Sequence, residues 1–174
     1  CMKKLGIIIC GLVLMMGCER NIYRFTEGSV YGTVYHVSYQ SEVDYTVEIR
    51  QEMERVNQSL SMFNKESVIA RWNRGESERV DSLFVTMYEK AREVYEATGG
   101  GFDITVAPLV NAWGFGFKNE KLPSDGKIDS LLQYVGMDKV QLEGVRLVKL
   151  VEGVQIDASS CLLYTSDAAD ERSS

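Results

Sequence analysis

Apolar side chains recur at helical spacing in two long segments of the chain. Each segment carries four of them at intervals of three or four residues, with charged residues between. The spacing predicts two amphipathic helices, the first ending near Leu60 and the second starting at Asp81 or Ser82 and ending at Gly99. The apolar positions are Ile49, Met53, Val56 and Leu60 in the first, and Phe84, Tyr88, Ala91 and Tyr95 in the second.

Alternating residues predict strands on both sides of these helices. β-branched and aromatic residues occupy every second position of residues 29–39, which predicts one strand there. Three shorter runs, residues 140–142, 145–151 and 154–156, predict a meander separated by Glu-Gly turns. A short helix opened by residues 123–124 and closed by Gly136 precedes it. Strands on either side of a helical segment predict an α+β fold.

Composition narrows the classes of function. The chain has 174 residues, of which 45% are hydrophobic and 25% charged, and a formal net charge of -6. An acidic chain has no electrostatic support for binding a phosphate backbone, so nucleic acid is not an expected partner. Between residues 19 and 160 there is no cysteine, which excludes a disulfide framework and a thiol nucleophile there. The single histidine, His36, is expected to be a structural or surface residue rather than a base.

The first 18 residues have the pattern of a targeting signal. Two lysines precede an apolar run that is too short to span a bilayer. Residues 14–18, Leu-Met-Met-Gly-Cys, resemble a bacterial lipobox, with methionine where leucine is usual. The resemblance implies a lipoprotein anchored through Cys18 to the extracytoplasmic face of a bacterial membrane. An ordinary signal peptide with an incidental cysteine is the alternative.

The last residues form a separate segment. Residues 161–174 begin Cys-Leu-Leu-Tyr-Thr-Ser-Asp-Ala-Ala-Asp-Glu, which resembles a translated sequencing adapter. We therefore expect residues 19–160 to form the folded unit and residues 161–174 to be an artefact. A genuine polar tail is the alternative.

The glycine-rich segment at residues 98–116 is the strongest candidate for a ligand site. Three consecutive glycines, 99–101, precede Phe102 and Asp103, and Trp113 follows. Glycine lets a ligand approach the backbone, and an aromatic ring beside a carboxylate suits a flat ligand with polar edges. Alternatively, Gly99 ends a helix and the next glycines fill a turn. The glycines follow a helix, so they do not form a dinucleotide fingerprint. Trp113 is expected in the core.

Several separated motifs together resemble one family. In order they resemble the N-terminal half of the FAD:protein FMN transferases, the ApbE family. The family cleaves FAD and, with Mg²⁺, moves FMN onto a threonine or serine hydroxyl of a partner protein, releasing AMP. The resemblance implies an acceptor subunit of a membrane redox complex, and a homodimer is compatible with it. The motifs are residues 28–35, 60–64, 66–67, 73, 99–116 and 154–160.

The resemblance also implies which residues bind the ligands. Tyr31 and Phe63 match residues that line the FAD site. Residues 101–103 match the family's ligand loop, which implies FAD contacts for Gly101, Phe102 and Asp103. Asp157 matches an FAD-contacting aspartate, and Ser160 falls where a backbone oxygen helps to bind Mg²⁺. A structural cap is the alternative role for Asp103.

The sequence departs from the family after Ser160. The family continues with a lysine-containing run, a histidine motif and further metal ligands, none of which is present. We therefore expect no catalytic residue in this chain and no transferase activity from it alone. An extracytoplasmic FAD pyrophosphatase and a non-catalytic flavin-binding lipoprotein are the alternatives for the intact protein.

Overall fold

The computed structural model describes residues 21–114 and 123–159. Within them the chain forms two β-hairpins and five α-helices, and a short 3₁₀ turn at Met137–Lys139 leads into the second hairpin. The elements are β1 (Tyr23–Val30), β2 (Thr33–Gln40), α1 (Thr46–Leu60), α2 (Val68–Asn73), α3 (Ser82–Ala97), α4 (Ala107–Ala112), α5 (Asp125–Leu132), β3 (Val140–Glu143) and β4 (Arg146–Lys149). The predicted α+β class is confirmed.

The first hairpin corrects the single strand predicted at residues 29–39. β1 and β2 pair antiparallel, and Val30 lies opposite Thr33 across a two-residue turn. Both turn residues have positive φ, 55° at Tyr31 and 75° at Gly32, as a type I′ turn requires. Residue 31 therefore lies at the tip of a hairpin and not on a strand face.

The predicted helices are confirmed at their key boundaries. α1 ends at Leu60, and α3 starts after Asp81, whose Oδ1 accepts a hydrogen bond from the Phe84 amide at 2.8 Å. This side-chain cap satisfies one of the donors that a helix start leaves unpaired. The pattern missed the two six-residue helices, α2 and α4, which are too short to show a helical period.

The core lies between α1–α3 and the second hairpin. Trp72 on α2 is 1% exposed, and its indole N–H donates to the Leu147 carbonyl on β4 at 2.7 Å. Trp72 also packs against Phe84 on α3, with ring centroids 6.5 Å apart. The fully buried members include Ile69, Phe84, Ile104, Leu147, Val154, Ile156 and Ala158. The core thus includes residues on both sides of Asp157, near the end of the described chain.

The C-terminal part follows the predicted meander only in part. β3 and β4 pair antiparallel as expected. Residues 154–156 are not a third strand, since their one ladder contact is a parallel bridge between Gln155 and Val106. The backbone of Ile156 bonds instead to a side chain, described below.

Three predictions lie outside the described residues: the signal segment with Cys18, the metal-binding role of Ser160, and the artefact at residues 161–174. Within the described ranges, no helix has the length and apolar character needed to cross a bilayer.

Candidate functional site

The tip of the first hairpin presents an aromatic ring from a strained backbone. Tyr31 has a backbone φ of 55°, a value that residues other than glycine rarely adopt. Its hydroxyl donates to the Met53 carbonyl on α1 at 2.9 Å, which ties the ring to that helix. Burial, and then the charges of Glu52 and Glu54, raise the pKa of this phenol. Backbone strain held by neighbouring contacts is a feature of functional sites.

Phe63 meets the same hairpin tip from the loop after α1. A Cβ on Gly32 would lie 3.6 Å from the Phe63 ring, so the ring lies directly against the glycine. Phe63 is nevertheless 59% exposed. The structure therefore brings Tyr31 and Phe63, two predicted site residues, to one place with an accessible aromatic surface.

The loop that carries Phe63 is fixed by buried hydrogen bonds. The Ser67 hydroxyl donates to the Ser61 carbonyl at 2.7 Å and accepts from the Ala70 amide at 3.1 Å, which caps α2. Ser67 is fully buried. Asn64 closes the middle of the loop by accepting from the Glu66 amide at 3.0 Å. An exposed ring thus stands on a rigid base, as a preformed binding surface needs.

The glycine-rich segment forms the turn that ends α3. Gly99 and Gly100 have φ of 60° and 85°, so the alternative interpretation, a helix end and a turn, describes these two residues. The Thr98 hydroxyl accepts from the Phe102 amide at 3.1 Å and sets the path of the next residues. A Cβ on Gly101 would lie 3.3 Å from the Thr98 carbonyl, which leaves little room for a larger residue.

Asp103 has a structural role at one of its two oxygens. Its Oδ1 accepts from the amide and the hydroxyl of Thr105, at 2.7 and 2.6 Å. Thr105 is fully buried, and its hydroxyl oxygen accepts from the Gly136 amide at 2.7 Å. The carboxylate therefore fixes the ligand loop and the turn before β3 at once. These contacts support the cap role at Oδ1 and do not involve Oδ2.

Asp157 lies on the segment beside this loop. Its amide donates to the Ile104 carbonyl at 2.8 Å, and its Oδ1 accepts from the Ser159 amide at 2.8 Å. Because Ile104 directly follows Asp103, one hydrogen bond joins the two segments that carry the predicted aspartates. Both aspartates are half-buried.

The site residues form two groups joined by one polar side chain. Tyr31 and Phe63 form the first group, and residues 101–103 with Asp157 form the second. The Asn73 side chain lies 3.9 Å from the Met62 sulfur and bonds to Ile156 at 2.8 Å, so it touches a neighbour of each group. In the sequence, Asn73 is recognisable only as part of a motif and its role is not predictable, because a side chain bonded to a distant backbone leaves no periodic signal.

Two further sequence predictions have clear outcomes. Trp113 is 45% exposed at the end of α4, so its placement in the core was wrong. His36 is a surface residue as expected: it lies opposite Glu27 on the hairpin, with 3.1 Å between Nδ1 and the carboxylate. Across residues 21–114 and 123–159, no three histidine, cysteine or acidic side chains are grouped so that they could hold a metal ion.

Comparison with known proteins decides the family. A sequence model of the ApbE family matches residues 31–169, which is most of the chain. The chain belongs to the ApbE family. All six FAD-site residues carried over from the family, from Tyr31 to Asp157, lie within the matched range.

Curated relatives in this family have a stated activity. An FAD:protein FMN transferase of Vibrio cholerae is 28% identical over 171 residues, and one of Haemophilus influenzae is 31% identical over 180 residues. Each alignment covers 91% of this chain but 51% and 52% of the relative. The chain thus spans about half the length of the curated relatives it matches.

Solved structures agree on the fold. The flavin transferase ApbE from Vibrio cholerae superposes with a TM-score of 0.72 at 28% identity, covering 79% of this chain and 48% of that one. The apo flavinyl transferase ApbE from Pseudomonas stutzeri gives 0.75 at 25% identity, covering 90% and 54%. The described residues therefore have the fold of about half of an ApbE domain, and the family is one of transferases.

Proposed function

We propose that the full-length protein carrying this sequence is an FAD:protein FMN transferase. It binds FAD, transfers the FMN part to a threonine or serine hydroxyl of an acceptor protein, and releases AMP. The observation that carries the proposal is the hairpin tip. Tyr31, in a strained backbone, and Phe63, packed on Gly32, together offer an accessible aromatic surface.

This surface suits a flat ring of FAD. Aromatic side chains favour offset-stacked or edge-to-face contacts with a planar ligand. The Tyr31 hydroxyl is already bonded to the Met53 carbonyl, and the loop at residues 61–67 that carries Phe63 is held by its own hydrogen bonds. A preformed surface lowers the entropy that binding costs. Asp103 and Asp157 add carboxylates on adjoining segments, where polar groups of the ligand can be oriented.

The chemistry is attack by a hydroxyl oxygen on the FMN-side phosphorus of the FAD pyrophosphate. A new phosphorus–oxygen bond forms to the acceptor, the bond to the bridging oxygen breaks, and AMP leaves while the hydroxyl proton is lost. Such reactions depend on positioning both reactants and on neutralising the phosphate charge. Residues 31, 63, 101–103 and 157 contribute positioning. None of them is assigned as the base.

The proposal also covers the Mg²⁺ ion, the acceptor protein and the cellular location. The residues that the structure describes offer no group of three side chains that could hold the ion. By resemblance to the family, the Ser160 carbonyl would be among the groups that hold Mg²⁺, and the ion would supply neutralisation of the pyrophosphate charge. We propose an acceptor subunit of a membrane redox complex, reached from the envelope side by a protein anchored through Cys18.

The test mixes the full-length protein with FAD, Mg²⁺ and a candidate acceptor subunit, then separates the proteins under denaturing conditions. The proposal expects flavin fluorescence that stays with the acceptor and one AMP for each flavin attached. The 174-residue chain alone is expected to hold FAD weakly or not at all.

Other outcomes have distinct meanings. Release of AMP and free FMN without labelling would replace the transferase with an FAD pyrophosphatase. Binding of FAD without cleavage would leave a flavin-binding protein, and absence of FAD binding by the full-length protein would contradict both enzyme functions. Tight stoichiometric FAD binding by the 174-residue chain would show that the described half of the site is sufficient.

A further inference from the structure

We propose that Asn73 is a positioning residue. It holds residues 154–157, the Asp157 segment, in the position in which Asp157 contacts FAD. The inference rests on the proposed function. Asn73 is the last residue of α2, and its side-chain amide pairs with both backbone groups of Ile156. Nδ2 donates to the Ile156 carbonyl at 2.8 Å, and Oδ1 accepts from the Ile156 amide at 2.8 Å.

This pair of bonds replaces a neighbouring strand. In an antiparallel ladder, two opposed residues exchange an N–H···O bond in each direction, and here one asparagine side chain supplies both partners. Ile156 is fully buried, so its backbone groups need partners inside the protein. The contact also links residues that are 83 positions apart, which makes it a tertiary clamp and not a local turn.

Asp157 is held from the opposite side. Backbone groups of successive residues in an extended segment point in opposite directions. Ile156 bonds to Asn73, and the next amide, that of Asp157, bonds to the Ile104 carbonyl at 2.8 Å. The Asp157 segment is therefore gripped between α2 on one side and the ligand loop on the other. Removing Asn73 leaves one of these two supports.

The clamp is itself anchored before any ligand binds. The adjoining Trp72 is buried and bonded to β4. The Lys149 ammonium donates to the Asn73 carbonyl at 3.1 Å and lies 4.4 Å from the centre of the Trp72 ring. On its other side Asn73 touches Met62, the neighbour of Phe63. Asn73 is thus placed to set the Asp157 segment relative to the loop that carries Phe63.

The experiment measures FAD dissociation constants of full-length Asn73→Ala, with Met87→Ala as the control. Met87 is buried on α3. In the described part of the chain, it forms no hydrogen bond with residues 154–157, so its truncation lowers stability through packing alone. Binding is followed by quenching of flavin fluorescence, well below the unfolding midpoint of each variant. Asn73→Asp, which keeps the volume and the acceptor but removes the donor, serves if the alanine variant does not fold.

We expect Asn73→Ala to raise the FAD dissociation constant at least about tenfold, and Met87→Ala less than about threefold. Amide hydrogen exchange supplies a second readout: the Ile156 and Asp157 amides should exchange faster in Asn73→Ala and unchanged in the control. Wild-type affinity in Asn73→Ala, or equal losses in both variants, would overturn this inference alone. A wild-type protein that binds no FAD would overturn the proposed function as well.

Discussion

Substitutions of Asp103 test whether its carboxylate both stabilises the fold and binds the ligand, and Asp103→Ala tests the structural role. In the structure, Oδ1 of Asp103 accepts two hydrogen bonds from Thr105, a residue with no exposed surface. Alanine removes both acceptor contacts and leaves the buried Thr105 amide unpaired. The Thr105 hydroxyl also accepts from the Gly136 amide, so the change extends to the turn before β3.

The magnitude follows from these bonds. Hydrogen bonds to a charged group contribute about 1.5–3 kcal/mol each, and the half-buried position of Asp103 favours the lower end. The two together give about 3 kcal/mol, a large part of the roughly 5–15 kcal/mol that holds a domain folded. For a domain of this size the unfolding midpoint should fall by about 6–12 °C.

Asp103→Asn is the matched control, because it keeps an oxygen acceptor and the volume of the side chain. Neutral hydrogen bonds are about half as strong as charge-assisted ones, so its midpoint should fall by about half as much. Its FAD affinity should nevertheless drop, since the carboxylate charge at the site is lost. The assay pairs thermal unfolding with FAD titration. Unchanged stability in Asp103→Ala would refute the structural role, and wild-type FAD affinity in Asp103→Asn would refute the ligand role.

Two further predictions concern Tyr31 and Lys149. Tyr31→Phe removes the hydroxyl bond to Met53 but keeps the ring, so urea unfolding should show a loss of about 1 kcal/mol while FAD affinity changes less than about threefold. A large affinity loss without destabilisation would place the hydroxyl on the ligand instead. Burial lowers the pKa of Lys149 from its ordinary value of 10.5, so between the two pKa values the unfolded chain binds more protons than the folded protein. Wild-type stability relative to Lys149→Met should therefore rise as pH increases through that interval, and a constant difference would contradict the burial of the ammonium.

Sequence patterns predicted the long elements because burial repeats along them. α1 and α3 present one apolar face each, and Asp81 marks the start of α3 with its side chain. The first hairpin escaped prediction for two reasons. β1 carries polar and charged residues, and its turn places a tyrosine at positive φ where asparagine or aspartate is usual. The alternation of residues 29–39 therefore predicted one strand that continued through the turn.

Site residues were predictable only as far as motif resemblance reached. Resemblance named Asp103 and Asp157, and the structure places them on adjoining segments joined through Ile104. The partners that hold them, Thr105 and Asn73, act through side-chain bonds to distant backbone. Such bonds form only between segments that the tertiary fold brings together, so no spacing of residues in the sequence predicts them.

A crystal structure of the full-length protein with bound FAD would show directly whether the hairpin tip and the two aspartates bind the ligand. We expect a flat ring of FAD within about 4 Å of the Tyr31 and Phe63 rings, with Asp103 and Asp157 contacting the same ligand. A flavin bound away from the hairpin tip, or one that touches neither aspartate, would contradict this expectation.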